Sequence, residues 1–233
     1  MYSSNSMLFL KHRVFLRTDS LISFDEDDSK QEELLVKNVK LQKMTAVAVA
    51  ASMGLILQFI ALPIIPIFPF LKLDFSDIPV LINMFIFGPL AGVATAFVRS
   101  LLHLVTTGFS IDNLIGDLAS FLASSMFTLP IFYLFRQQTA RKKAIGIGLG
   151  ILAMTIFMSI ANYFVITPLY LKAFGLSAGE MLGMSLGKYV LVGIVPFNLI
   201  KGMVVSGAFL ILHAKLLPWL SKKTITTHHH SSI

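Results

Sequence analysis

The chain has 233 residues, 55% of them hydrophobic and 13% charged, with a mean hydropathy of +0.79. Soluble domains carry about 25% charged residues, so this composition excludes an ordinary water-exposed surface and indicates an integral membrane domain. The net charge of +7 does not indicate nucleic acid, because the bases cluster beside apolar spans and form no patch with interleaved aromatics. With no cysteine, there is no disulfide framework and no cysteine-ligated metal site.

Seven of the 12 acids fall before residue 44, leaving five for the rest of the chain. Residues 1–40 are therefore expected to be a polar, partly disordered extension, with an acidic knot at Asp25-Glu26-Asp27-Asp28 and a Glu33–Lys37 pair at i, i+4. Lys11-His12-Arg13 interrupts the apolar stretch after Met7 too early for a cleaved signal peptide. The membrane domain is expected over 41–220 and a cytoplasmic tail over 221–233, in which His228-His229-His230 is read as tail rather than metal site.

A membrane-spanning helix needs about 20 apolar residues. Leu41 to Leu62 supplies the first, ended by Pro63, Pro66 and Pro69, which leave Ile64 to Leu73 as an apolar, non-helical loop. Asp77 to Val105 is too long for one span, and Gly88-Pro89 divides it into a short helix two and a helix three in a tight hairpin. Helix four follows Thr106-Thr107-Gly108, capped by Asp112 or Asn113, and runs to Phe135. Helix five covers Ala144 to Ile166 and stops at Thr167-Pro168; Leu169 to Ser185 is a loop, and Leu186 to Leu217 is helix six. Six spans put Lys37, Lys40 and Lys43, then Arg136, Arg141, Lys142 and Lys143, then Lys215, Lys222 and Lys223 on one face. That face is cytoplasmic by the positive-inside rule. The expected fold is an all-α integral membrane protein with six transmembrane helices and both termini cytoplasmic.

The stretch Leu73-Asp74-Phe75-Ser76-Asp77-Ile78-Pro79 sets two carboxylates and a proline between strongly apolar segments. Polar backbone of this kind survives in a bilayer only at an interface or beside a cavity. Asp77 is read as a helix-start residue, whereas Asp74 lies outside the helix and is the better ligand-side candidate. Asn162 near the outer end of helix five is either an interhelical hydrogen bond or a partner for an imide-like edge, since its amide both donates and accepts. Asn198 and Lys201 share a face of helix six, and Lys201 sits well inside an apolar helix, where a charge marks a functional site by default. His103 is read as an interfacial packing residue. Ala46 and Ala50 are four apart, a spacing that admits a second helix; from spacing alone this is packing within the chain. No phosphate loop, nucleophile elbow or metal-binding helix motif is present, so neither catalytic nor metal residues are assigned, and any ATPase has to be a partner.

Four segments in order, Leu73-Asp74-Phe75-Ser76-Asp77-Ile78-Pro79, Phe87-Gly88-Pro89-Leu90-Ala91-Gly92, Asn162-Tyr163-Phe164 with Pro168-Leu169-Tyr170, and Pro196-Phe197-Asn198-Leu199-Ile200-Lys201-Gly202, resemble the riboflavin-specific S components of energy-coupling factor (ECF) transporters. The resemblance spans about residues 41–220. It implies six helices, a vitamin pocket near the outer face, and as partners a transmembrane coupling subunit and two cytoplasmic ATPase subunits; no cofactor is expected, riboflavin being the transported ligand. It places flavin contacts on Asn162, Asn198 and Lys201, with Leu73, Asp74 and Phe75 contributing from the loop, and makes Ala46 and Ala50 the docking motif for the coupling subunit. Gly116-Asp117-Leu118 departs from the pattern by carrying an acid where a neutral residue is expected. An S component for another vitamin, or a stand-alone proton-coupled carrier using Asp117, are the other readings the residues leave open.

Overall fold

A computed structural model describes residues 36–135 and 139–228, with side chains described as far as Lys215. The chain falls into two units, Met1–Thr45 and Ala46–Ile233. Of the first, only residues 36–45 are described; they are helical and exposed, and Thr45 Oγ1 donates to the Leu41 carbonyl at 3.0 Å. The acidic knot, the Glu33 partner of Lys37, Arg136 and His229-His230 lie outside the described residues.

Helix α1 runs Val36–Phe59. A two-residue antiparallel ladder, β1 Leu62–Pro63 with β2 Lys72–Leu73, pairs Leu62 with Leu73 and closes the proline-rich loop between them. Helix α2, Asp77–Phe87, has only 11 residues, and α3 follows at once over Pro89–Thr107. Gly88 between them has φ 96°, a backbone region closed to most side chains, and Pro89 has no N–H to continue a helix. Helix α4 covers Ile111–Phe135 and α5 Ala140–Ala161. Among the described residues five helices are long and apolar enough to cross a membrane, and α2 is a shorter sixth.

Several of the expected boundaries are corrected, the first of them that of the first span, which is helical over Val36–Phe59 rather than Leu41–Leu62. Thr167-Pro168 does not stop the fifth span: a π-helical turn over Asn162–Ile166 leads directly into α6, Thr167–Phe174, so the helix is continuous from Ala140 to Phe174. The wider turn lets Thr167 N–H reach the Asn162 carbonyl and presents Pro168 as if at a helix start, where its missing N–H does no harm. The expected loop to Ser185 contains α7, Ala178–Leu182, whose start carries a full capping box between Ser177 and Glu180. The last span opens with α8, Leu186–Tyr189, passes a second π-helical turn at Val190–Ile194, and continues as α9, Val195–His228, beyond the expected end at Leu217. Helix four is capped by Ser110, whose hydroxyl accepts Asn113 N–H at 3.3 Å, rather than by Asp112 or Asn113 themselves.

The main core draws Ile78 and Leu81 from α2, Phe127 and Ile131 from α4, Met154 from α5 and Val205 from α9. A smaller cluster of Phe68, Leu182, Tyr189 and Ile194 ties the proline-rich loop to α7 and to the second π turn. Leu90, Phe109, Ile111 and Phe164 are exposed, while Arg99, Asp77, Asn83 and Thr95 are buried. Apolar side chains outside and charged ones inside is the arrangement a hydrocarbon solvent favours.

Candidate functional site

The α2–α3 hairpin sets the depth of the site. Asn83 Nδ2 donates to Thr95 Oγ1 at 2.6 Å, and Asp77 faces Arg99, so the helices pair about Gly88 with the start of α2 opposite the middle of α3. Helix α3 continues eight residues past Arg99 to Thr107, about 12 Å at 1.5 Å per residue. The polar segment Asp74–Asp77 therefore lies well below the outer end of the bundle, held there by the β1–β2 ladder.

Around this point a charged network is buried. Asp74 Oδ1 accepts Ser76 N–H at 2.9 Å, an Asx-type turn, and also the Ser76 hydroxyl. Its other oxygen accepts Lys201 Nζ from α9 at 3.0 Å. Lys201 Nζ is also 3.9 Å from Asp77 Oδ2. Arg99, 0% exposed, donates from Nη1 to Ser76 Oγ at 2.7 Å and to Asp77 Oδ1 at 2.9 Å, and from Nη2 to Ser120 Oγ of α4 at 3.2 Å. Burial works against ionisation of Asp74. The charges of Lys201 and Arg99, with hydrogen bonds from Ser76 and Lys201, offset that cost.

Both asparagines sit beside π turns. Asn162 opens the first; its Nδ2 donates to the Met158 carbonyl at 2.8 Å and its Oδ1 accepts Thr167 Oγ1 at 3.2 Å. Asn198 lies one turn beyond the second, and its Nδ2 donates to the Ile194 carbonyl at 2.9 Å. Each amide keeps one N–H beyond these bonds, and Asn198 Oδ1 accepts no hydrogen bond from the described residues. The two π turns pack against one another, as do α5 and α9. An inserted residue in each helix re-aims the face that follows it, a device that recurs at functional sites.

The structure joins Asp74 to Lys201 directly and sets Asn162 and Asn198 on neighbouring helices, each bonded to its own helix. Leu73 is buried in the ladder and Phe75 packs partly buried against the main core. Asp77 is not a capping residue: it binds Arg99, and Ser76, at the N-cap position, makes no side-chain cap bond because its hydroxyl is engaged by Asp74 and Arg99. His103 is not alone: Nδ1 lies 2.7 Å from Asp117 Oδ1, and its ring packs on Phe59 at 5.4 Å between centroids. Ala46 and Ala50 are half-buried, and Ala51 beside them is fully buried. Arg99, Ser76 and Ser120 are absent from the sequence-derived set. The charge in Phe97-Val98-Arg99-Ser100, in the middle of an apolar span, carried the signal that singled out Lys201.

The model of the ECF transporter substrate-specific component matches residues 42–213. This chain belongs to that family. The S component is 35% identical over 193 residues to the riboflavin transporter FmnP of Bacillus subtilis strain 168, covering 82% of this chain and 100% of the relative. It is 36% identical over 182 residues to the riboflavin transporter RibU of Staphylococcus aureus strain TCH60, covering 78% and 93%. A solved S component of a bacterial ECF transporter superposes with a TM-score of 0.64 at 34% identity, over 78% of this chain and 98% of that one. The S component is a multi-pass protein of the bacterial cell membrane with the six-helix fold of its family.

Proposed function

We propose that this S component captures riboflavin and takes it into the cell as part of an ATP-driven ECF transporter. The observation that carries the reading is the buried Asp74–Lys201 pair beside two asparagine-bearing helices, in a chain that aligns along nearly the whole length of two riboflavin transporters. The pyrimidine edge of riboflavin alternates carbonyl acceptors with an N–H donor. The amides of Asn162 and Asn198 offer the complementary groups. The ammonium of Lys201 has three N–H groups, and one is bonded to Asp74, leaving others for a carbonyl or ribityl oxygen. Leu73 and Phe75 supply apolar surface from the loop, and the isoalloxazine ring suits an apolar, aromatic enclosure.

The chain itself binds and does not catalyse. Its partners in this reading are a transmembrane coupling subunit, docked at Ala46 and Ala50, and two cytoplasmic ATPase subunits. Their ATP cycle drives a rigid-body reorientation of the S component. No cofactor or metal enters the scheme; riboflavin is cargo.

The test is a flavin spectrum. Protein purified from rich medium is expected to be yellow and to release flavin on denaturation. A colourless preparation that also fails to bind added riboflavin would remove the substrate assignment.

A further inference from the structure

Arg99 is the largest of the fully buried side chains and has no role in the binding scheme above. Its Nε is buried and has no hydrogen-bond partner among the described residues. Its Nη1 is occupied by Ser76 and Asp77, and its Nη2 by Ser120. Helix α1 covers its stem: a Cβ on Gly54 would sit 3.0 Å from Arg99 Cδ, so a side chain there would press on the arginine. The charged groups around it are Asp74 from the loop, Asp77 from α2, Lys201 from α9, and the His103–Asp117 pair, one turn further along α3 and α4. Asp74 and Asp77 against Arg99 and Lys201 is a balanced set of two anions and two cations.

We propose that Arg99 is a positioning residue for riboflavin binding. By neutralising Asp77 and fixing Ser76, it leaves Asp74 to hold Lys201 Nζ in one place. This rests on the riboflavin reading and extends it to a residue whose Nη atoms are bonded to Ser76, Asp77 and Ser120 of the chain itself. The geometry gives the reason. Lys201 Nζ is already 3.0 Å from Asp74 and 3.9 Å from Asp77. Without Arg99, one ammonium faces two carboxylates in a site where charges are weakly screened, and it is drawn between them, away from the ligand-side position. Ser76 Oγ also loses its donor, which loosens the turn that aims Asp74. The role is one of charge balance, so it is repaired by removing the opposite charge.

The experiment is riboflavin titration by flavin fluorescence, with thermal unfolding in parallel, on the full-length chain and on the variants Arg99→Met and Arg99→Met with Asp77→Asn. Arg99→Met is expected to lose about tenfold or more in affinity, the loss that corresponds to one misplaced charged hydrogen bond. The double variant, with one anion against one cation, is expected to recover most of that loss although it lacks both partners of a buried ion pair. A purely structural arginine is told apart by comparing the two readouts: it predicts that the unfolding temperature falls in Arg99→Met and recovers in the double variant, while the affinity of protein still folded at the titration temperature stays at the wild-type value throughout. If Arg99→Met does not fold, the double variant decides alone: folding with riboflavin affinity restored supports the proposal, and failure to fold or bind overturns it. An Arg99→Met variant with unchanged affinity overturns it as well. Wild-type protein that binds no riboflavin overturns the riboflavin reading first and this proposal with it.

Discussion

Lys201 Nζ and Asp74 Oδ2 are 3.0 Å apart although 127 positions separate them in the chain. One stands on the last helix and the other just before the second, so the pair closes the helical bundle across the site. An ion pair this deeply placed is stable only when every charge in its neighbourhood has a partner.

Lys201→Met is expected to weaken riboflavin binding by about 1.5–3 kcal/mol, the value of a hydrogen bond to a charged group. That is roughly tenfold or more in Kd. Fluorescence titration in detergent checks it, and an unchanged Kd would reassign Lys201 to packing.

Asn162→Leu and Asn198→Leu are each expected to reduce affinity while leaving thermal stability nearly intact, because both amide groups bond only locally within their own helical segments. Asp77→Asn is expected to do the opposite in kind. It leaves the buried Arg99 guanidinium short of a counter-charge and lowers the unfolding temperature, since breaking a buried pair from one side costs about 3–5 kcal/mol. If Asp77→Asn unfolds at the wild-type temperature, the Arg99–Asp77 bond is not structural.

Ala46→Trp and Ala50→Trp are expected to abolish uptake in cells and to spare riboflavin binding by the isolated chain. Both alanines are half-buried, so a ring placed there obstructs the approach of another helix. Ala51→Trp is the control: Ala51 is fully buried, and an indole there is expected to disrupt the fold and abolish binding and uptake together. Normal uptake by Ala46→Trp would remove the docking role.

Much of this was legible in the sequence because apolar length and prolines report directly on spans and breaks. Gly88-Pro89 divided the hairpin correctly, and the lone charge at Lys201 pointed to a residue that the structure pairs with Asp74. Thr167-Pro168 misled because a proline stops a helix only if the preceding turn is α-helical; nothing in Asn162-Tyr163-Phe164-Val165-Ile166 announces a π turn. Asp77 misled because an acid at a helix start has a local explanation that hides a partner 22 residues away. Arg99 is hidden in the sequence because the three basic clusters account for the charge pattern without it. His103 and Asp117, 14 positions apart, find each other only through the α3–α4 packing.

The shortness of α2 also has an electrical consequence. An 11-residue helix paired with the inner half of α3 puts Asp74, Asp77, Arg99 and Lys201 part-way down the transmembrane field rather than at its edge. A single unbalanced charge crossing the full field would couple to it by about 2.3 kcal/mol per 100 mV. Two anions set against two cations cancel that coupling. In the proposed cycle a neutral ligand bound there moves with the bundle without carrying current, and its inward movement is expected to be indifferent to the membrane voltage.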